Sequence, residues 1–587
     1  MKEFFKFVFA SMIGVALAFF AIVLIMIVVI AGIIGSTGED KSAPVAANSV
    51  MHIELNYPIN ERTPKNPFDK LFSDLEGSKN LGLNDLLANI DKAKTDNNIK
   101  GIYLDVSDIQ AGYATIEEIR NALINFRKSG KFVIAYSEIY TQDAYYLASA
   151  ANKVYLNPEG LLEFKGFNSK IAFFKGTLEK LGIEPQVIKV GTYKSAVEPF
   201  ILDKMSEPNR KQVASFLNSM YDHFINEVSK SRKINRDSLY TIANELKVQN
   251  ASDAVKYKLA DGLKYKDQVL DELKSLTGID KKEDIESVSI ANYGGASKDE
   301  SASAGRIAVV YASGDIIGGE GNDETIGSER ISRTIRKIRQ DEKVKAVVLR
   351  INSPGGSALA SDVIWREVLL TKKVKPIIVS MGDVAASGGY YIACAADSIF
   401  AQPNTITGSI GVFGIIPNMQ NFFNDKLGIT FDQVKTSKFA DIETVTRPLT
   451  DAEKLIIQKE VNRIYDSFTK RVAEGRKKNQ NYIDSIGQGR VWSGTEALNI
   501  GLVDRLGNID DAINSAAKMA KLKNYKLVSY PSMKDPFSSI FDKSGDKIKE
   551  YISKKEFGEQ YNYYKQLKAA IGLSGIQARL PYNISIN

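Results

Sequence analysis

The chain has one cysteine and only two histidines in 587 residues. A lone Cys394 excludes an intrachain disulfide and any metal site built from cysteines. Set in a run of small apolar residues, it reads as a buried, inert hydrophobe. Most serine hydrolases and most zinc sites place a histidine at their centre, so a hydrolase on this chain must find its base elsewhere. His52 falls in a strand pattern and His223 on a long helical one, and both read as surface or packing residues. An excess of charge is also missing. The 77 Lys and Arg nearly balance the 70 Asp and Glu, leaving +7, which gives no footprint for nucleic acid. A phosphate loop is absent too: Lys194-Ser195 has Tyr193 where that loop requires glycine, so no nucleotide is expected. No metal or other cofactor is called for.

Long hydrophobic runs are lacking with one exception. Phe7 to Ile34 carries no charge over 28 residues, more than the roughly 20 a spanning helix needs. It also exceeds the roughly 7–15 apolar residues of a cleavable signal peptide, although Ala43, Ala46 and Ala47 keep cleavage open. Lys2 and Lys6 precede the run and Glu39 and Asp40 follow it. That asymmetry sets the N-terminus inside and the body outside. The expectation is a transmembrane anchor over residues 1–36. In a bacterium it would hold the body on the periplasmic or extracytoplasmic side of the inner membrane.

At this length the rest divides into several domain-sized units. Apolar segments of strand type (Val50–Leu55, Lys100–Val106, Lys131–Tyr136, Lys153–Leu156) alternate with helical patterns (Leu83–Ala93, Ile116–Phe126, Tyr145–Ala151). Such alternation predicts parallel βαβ units and an α/β fold. The order then recurs. Lys100-Gly-Ile-Tyr-Leu returns as Lys345-Ala-Val-Val-Leu, and Tyr145-Tyr-Leu-Ala-Ser-Ala-Ala as Tyr390-Tyr-Ile-Ala-Cys-Ala-Ala, both 245 residues on. Lys180-Leu-Gly-Ile and Tyr221-Asp-His-Phe return at 246 and 244. Near-constant spacing signals two copies of one domain. They are expected over 50–280 and 306–523, joined by a linker at 281–305 that is rich in glycine, serine and charge. The tail at 524–587 shows no counterpart in the repeat.

Each copy serves as a control for the other. Val374–Ser380 reads as a buried strand and Tyr390–Ala396 as a closely packed helix, with Ser387 at the join. A serine there has neighbouring N–H groups at a helix start, where negative charge is favoured. Gly388 and Gly389 let another backbone, such as a bound peptide, come close. The matching residues of the first copy are Gln142, Asp143 and Ala144, so the serine is absent there. Asn352-Ser-Pro-Gly-Gly-Ser357 follows the strand Ala346–Ile351 and can present backbone N–H groups as an oxyanion hole. Its counterpart, Ser107-Asp-Ile-Gln-Ala-Gly112, lacks the Pro-Gly-Gly. Conversely, Lys194 of the first copy falls on Ala440 in the second. The first half therefore offers a lysine, the second a serine and a glycine loop, and Ser-Lys pairs are a known route to acyl transfer.

Four motifs, Gly191-Thr-Tyr-Lys-Ser-Ala-Val-Glu-Pro199, Asn352-Ser-Pro-Gly-Gly356, Gly382-Asp-Val-Ala-Ala-Ser-Gly-Gly-Tyr-Tyr391 and Thr407-Gly-Ser-Ile-Gly411, together resemble the signal peptide peptidase A (protease IV) family in its long bacterial form. The resemblance implies two tandem Clp protease/crotonase-like domains and a membrane-anchored homotetramer that degrades cleaved signal peptides and other unfolded apolar peptides. It further implies Ser387 as nucleophile, Lys194 as general base, Ser409 bonded to the lysine, and Gly355 and Gly356 lining the oxyanion hole. Two other classes fit the same fold: a crotonase-type enzyme acting on acyl-thioesters, and a non-catalytic membrane scaffold.

Overall fold

The structure, a computed structural model, describes residues 2–36, 45–64, 80–294, 305–533 and 576–580. Lys2–Ser36 is one helix, and its side chains from Phe4 to Ile25, where described, are exposed. Among the described residues no helix is long and apolar enough to cross a membrane.

The first half builds a six-stranded parallel sheet in the order Gly262–Leu263, Lys153–Leu162, Phe132–Tyr140, Ile99–Asp105, Ser49–Ile53, Ser287–Ser289. The second half repeats the plan around Ile377–Ala386, Val344–Ser353 and Gly305–Ser313, again parallel, with Tyr525–Tyr530 beside the last. These central strands are mostly apolar and buried on both faces, as parallel strands under helices must be. The expected strands and helices of both copies are present, with ends moved by a few residues. Strand Ile377–Ala386 runs on through Gly382-Asp383 to the residue before Ser387, six residues past the expected end.

Two boundaries need correction. Ser287–Ser289 lies inside the expected linker, yet it pairs in parallel with Ser49–Ile53. Tyr525–Tyr530 lies inside the expected tail, yet it pairs in parallel with Gly305–Ser313. Each closes the same edge of its own sheet, so the start of the tail does have a repeat counterpart. The match escapes the sequence because an edge strand needs only backbone pairing and one apolar face, and Ile285-Glu-Ser-Val-Ser-Ile290 shares few residue types with Tyr525-Lys-Leu-Val-Ser-Tyr530.

A third sheet belongs to neither copy alone. Its order is Thr325–Gly327, Asp315–Ile317, Gly355–Ser357, Ile576–Arg579, Val412–Asn418, Glu184–Val190. The last two strands come from different halves and pair antiparallel over seven residues, from Val412 opposite Val190 to Asn418 opposite Glu184. Deeper in the same boundary, the fully buried Arg350 donates to Glu61 Oε2 at 2.8 Å, Glu118 Oε1 at 2.7 Å and Ser380 Oγ at 2.9 Å. Asp383 accepts from the Thr115 N–H and hydroxyl at 2.9 and 2.6 Å. Charge buried this deeply persists only when paired and hydrogen-bonded, and among these groups only Arg350 Nη2 and Glu118 Oε2 are left without a hydrogen-bond partner. These pairs hold the two halves in one register.

Candidate active site

Ser387 sits at the turn between strand Ile377–Ala386 and helix Gly388–Ala393, with φ 55° and ψ −112°. A non-glycine residue with that φ is strained by about 1–3 kcal/mol. The strain is held by the Ser387 N–H donating to Gly408 O at 2.8 Å and the Tyr391 N–H donating to Ser387 O at 2.8 Å. Ser409 is the other positive-φ serine of the site, at 51°, pinned by its N–H on Arg490 O at 2.7 Å. Both serines are fully buried.

Lys194 follows the cross-half strand Glu184–Val190 through Gly191-Thr-Tyr. The Tyr193 N–H donates to Gln488 O at 2.8 Å, and Gln212 Nε2 donates to Tyr193 O and Ser195 Oγ at 3.0 and 2.9 Å. Gln488 belongs to the second half, so both halves hold the lysine backbone. A Cβ on Gly489 would lie 2.6 Å from the Lys194 Cα and Cβ; only glycine lets these backbones approach so closely. From there Lys194 Nζ reaches 2.9 Å from Ser387 Oγ, 3.1 Å from Ser409 Oγ and 3.2 Å from Ser409 O. The ammonium position is fully buried beside the Phe413 ring, at 5.9 Å. Burial pushes its pKa well below the usual lysine value, and no carboxylate offsets this. A lysine desolvated without a counter-ion gives up its proton, and neutral amines are bases.

The glycine loop stands next to the serine. Gly355 has φ 102°, a region L-residues avoid. A Cβ there would lie 2.7 Å from Gly388 N, and a Cβ on Gly388 would lie 3.1 Å from Gly356 N. The N–H of Gly355 donates to Ser353 Oγ at 3.1 Å, and the Gly356 and Gly388 backbones lie against each other next to Ser387. Gly388 is read from the sequence as a place of close backbone approach and not as an N–H donor. Its signal is positional: the N–H after a nucleophile at a strand-to-helix turn points the same way as the serine hydroxyl.

The histidines and cysteine play no part here. His52 stacks on Tyr103 at 5.0 Å beside Asp105, and His223 contacts Glu117 at 3.3 Å. Cys394 is buried, and its thiol is pushed up to about 12 by that burial, so it stays protonated.

Comparison with known proteins gives this geometry its family. The model of peptidase family S49 matches residues 125–280 and 370–523, and that of the Clp proteases matches residues 298–407. Protease 4 of Salmonella typhi is 39% identical over 468 residues, spanning 78% of this chain and 75% of that one. Protease 4 of Haemophilus influenzae is 34% identical, spanning 85% and 83%. The chloroplastic serine protease SPPA of Arabidopsis thaliana is 34% identical, spanning 79% and 69%. With two tandem S49 regions in a Clp protease-like α/β fold, the chain belongs to peptidase family S49 and is a serine-type peptidase.

Proposed function

We propose that Ser387 is the nucleophile and Lys194 the general base of an ATP-independent endopeptidase that degrades extended apolar peptides, signal peptides among them, at a membrane surface. One observation carries the dyad: an amine 2.9 Å from a hydroxyl, both fully buried, with no carboxylate to keep the amine charged. The Ser387 hydroxyl gives its proton to neutral Lys194 as Oγ adds to the peptide carbonyl carbon. The Gly356 and Gly388 N–H groups meet the oxyanion, with Gly355 shaping their turn. Protonated Lys194 then hands its proton to the leaving nitrogen, and water repeats the cycle on the acyl-serine. Ser409 holds the amine in place through its hydroxyl and its carbonyl oxygen.

The signal-peptide substrate is the one named by the resemblance, and the 28-residue apolar run Phe7–Ile34 supports work beside a bilayer. That run serves as a single-pass anchor with the body on the extracytoplasmic face, in a homotetramer. Purified, detergent-solubilised protein tests the dyad: Ser387→Ala and Lys194→Ala should each abolish cleavage of an unfolded apolar peptide and labelling by a β-lactone probe. Cleavage surviving either change would overturn it.

A further inference from the structure

Lys194 stands in a turn between the strand Glu184–Val190 and the short 3-10 helix Ser195–Val197, so neither a sheet ladder nor a helix fixes it. The side chain of Gln212 supplies what regular structure would. It reaches in from the first-half helix Glu207–Arg232 and is 1% exposed. Its Nε2 donates to Tyr193 O at 3.0 Å and to Ser195 Oγ at 2.9 Å, on the two residues that flank the lysine. Its Oε1 accepts from the Val491 N–H of the second half at 3.1 Å. A backbone carbonyl on one side and a backbone N–H on the other settle which end of the amide is which.

The Val491 side leads to both serines. Strand Val491–Ser493 pairs antiparallel with Ile406–Gly408, Val491 opposite Gly408. Gly408 O takes the Ser387 N–H at 2.8 Å, and Arg490 O takes the Ser409 N–H at 2.7 Å. One amide therefore ties the residues on either side of Lys194 to the strand pair that holds Ser387 and Ser409. Gln212 is itself held. Its Nε2 donates to Asn209 Oδ1 at 3.1 Å, three residues back on the same helix face, and Asn209 Nδ2 donates to Glu198 Oε2 at 2.8 Å. Glu198 belongs to the Gly191–Pro199 motif and is buried, and it accepts as well from the Ser206 N–H and hydroxyl at 3.1 and 2.6 Å. An ionised carboxylate only accepts, so it turns the Asn209 NH2 toward itself and the Asn209 oxygen toward Gln212.

We infer that Gln212, oriented through Asn209 by Glu198, is a positioning residue that sets the approach of Lys194 Nζ to Ser387 Oγ. The inference rests on the dyad reading. The duplication supports it independently. Tyr221 and Tyr465 match at a spacing of 244 residues, and the helix caps Ser206 and Thr450 match at the same spacing. There Asn209 falls on Glu453 and Gln212 on Ile456, an exposed side chain. The half that lacks the lysine lacks the amide pair too. The three residues act by geometry and not by charge. Burial lowers the Lys194 pKa with no carboxylate offsetting it, so Glu198 anchors the amides without holding a proton on the base.

Steady-state cleavage of a quenched fluorescent apolar peptide by the purified full chain in detergent tests this, with Lys194→Ala measured beside each variant. Gln212→Met keeps the length of the side chain and loses its hydrogen bonds. Its kcat should fall about tenfold or more with KM within about twofold, and β-lactone labelling of Ser387 should slow in step. Gln212→Glu still accepts from Val491 but turns an oxygen on Tyr193 O, and should do no better than Gln212→Met. Where circular dichroism shows the Gln212 variants unfolded, Glu198→Leu decides. Its kcat should fall about threefold or more with KM unmoved, and Glu198→Gln, which keeps one acceptor oxygen, should lie between it and the wild type. A folded Gln212→Met whose kcat stays within about threefold of wild type, or whose kcat and KM change by equal factors, overturns the inference. So does a folded Glu198→Leu with wild-type kcat. In each case an inactive Lys194→Ala leaves the dyad standing, and an active one overturns the dyad reading itself.

Discussion

Replacing Lys194 by methionine separates the two things a buried lysine does to this protein. Methionine is close in length and apolar, so the packing beside Phe413 is nearly conserved. What is lost is one ionisable group and three contacts, to Ser387 Oγ, Ser409 Oγ and Ser409 O. Those contacts are each worth about 1 kcal/mol net. Against them stands the cost of keeping the amine uncharged. In the unfolded chain it holds its proton up to about pH 10.4. In the folded protein burial lowers that pKa well below the usual value.

The sign follows from which state binds more protons. Between the depressed folded pKa and about 10.4 the unfolded chain carries one proton more, so wild-type stability rises with pH. The slope approaches 1.4 kcal/mol per pH unit, or about that much for every unit of the window. Lys194→Met has no such slope at this position. Its advantage over the wild type should therefore be greatest at the acid end of the window and shrink steadily toward pH 10. Urea unfolding followed by the fluorescence of Trp365 and Trp492, in detergent from pH 6 to 10, reads the gap directly. Wild-type kcat should rise with pH at the lower edge of the same window, where the amine becomes neutral. Parallel stability curves for the two proteins would mean that Lys194 is charged when folded, and the general-base assignment would fail with it.

Other perturbations test the supports of the site. Gly489→Ala forces a methyl to 2.6 Å from the Lys194 backbone; kcat should fall about a hundredfold with the circular dichroism spectrum unchanged. Ser409→Ala removes a 3.1 Å contact to the amine and should lower kcat about tenfold with little change in KM, because the group touches the base and not the peptide. Arg350→Met strands Glu61 and Glu118 in the boundary between halves and should cost about 3–5 kcal/mol in urea unfolding at pH 8. Burial against its acid-lowering partner Arg350 pushes the Glu118 carboxyl up to about 7, so that penalty should be smaller at pH 5, where Glu118 takes up a proton.

The sequence carried the α/β alternation because buried parallel strands are apolar at successive positions, and it carried the duplication because spacing survives when identities drift. Ser387 and Lys194, which the structure brings to 2.9 Å, could be picked out by asking what each copy keeps that the other lacks; Ser409, 3.1 Å from the same amine, was legible only through the family resemblance. Three things stayed hidden for a common reason: they are made of backbone. Gly388 offers an N–H whatever its side chain. The edge strands Ser287–Ser289 and Tyr525–Tyr530 are recognised by their partners' carbonyls rather than by their own pattern. Ile576–Arg579 is a four-residue strand far along the tail, beyond the part that has a repeat counterpart, and its place beside the glycine loop depends on pairing that no periodicity records.

The division of the site between the halves has a mechanical consequence. Lys194 hangs from a strand of the first half whose seven partners all lie on Val412–Asn418 of the second, the same strand that lines the groove opposite the glycine loop. A peptide taking the place of Ile576–Arg579 would pair with that strand along one edge, while the lysine is held through its other edge. Peptide backbone and Lys194 would thus be fixed by opposite edges of one seven-residue strand, and displacement of either would move the other. Loss of backbone pairing in the cross-half ladder, for instance by Ile188→Pro, which deletes the N–H of a buried ladder residue, should therefore lower kcat by misplacing Lys194 and raise KM by bending the groove. Lys194→Met should leave peptide affinity, measured with the Ser387→Ala background, within about twofold. If Ile188→Pro lowered kcat alone, the strand would be a tether for the lysine and not a shared wall of the groove.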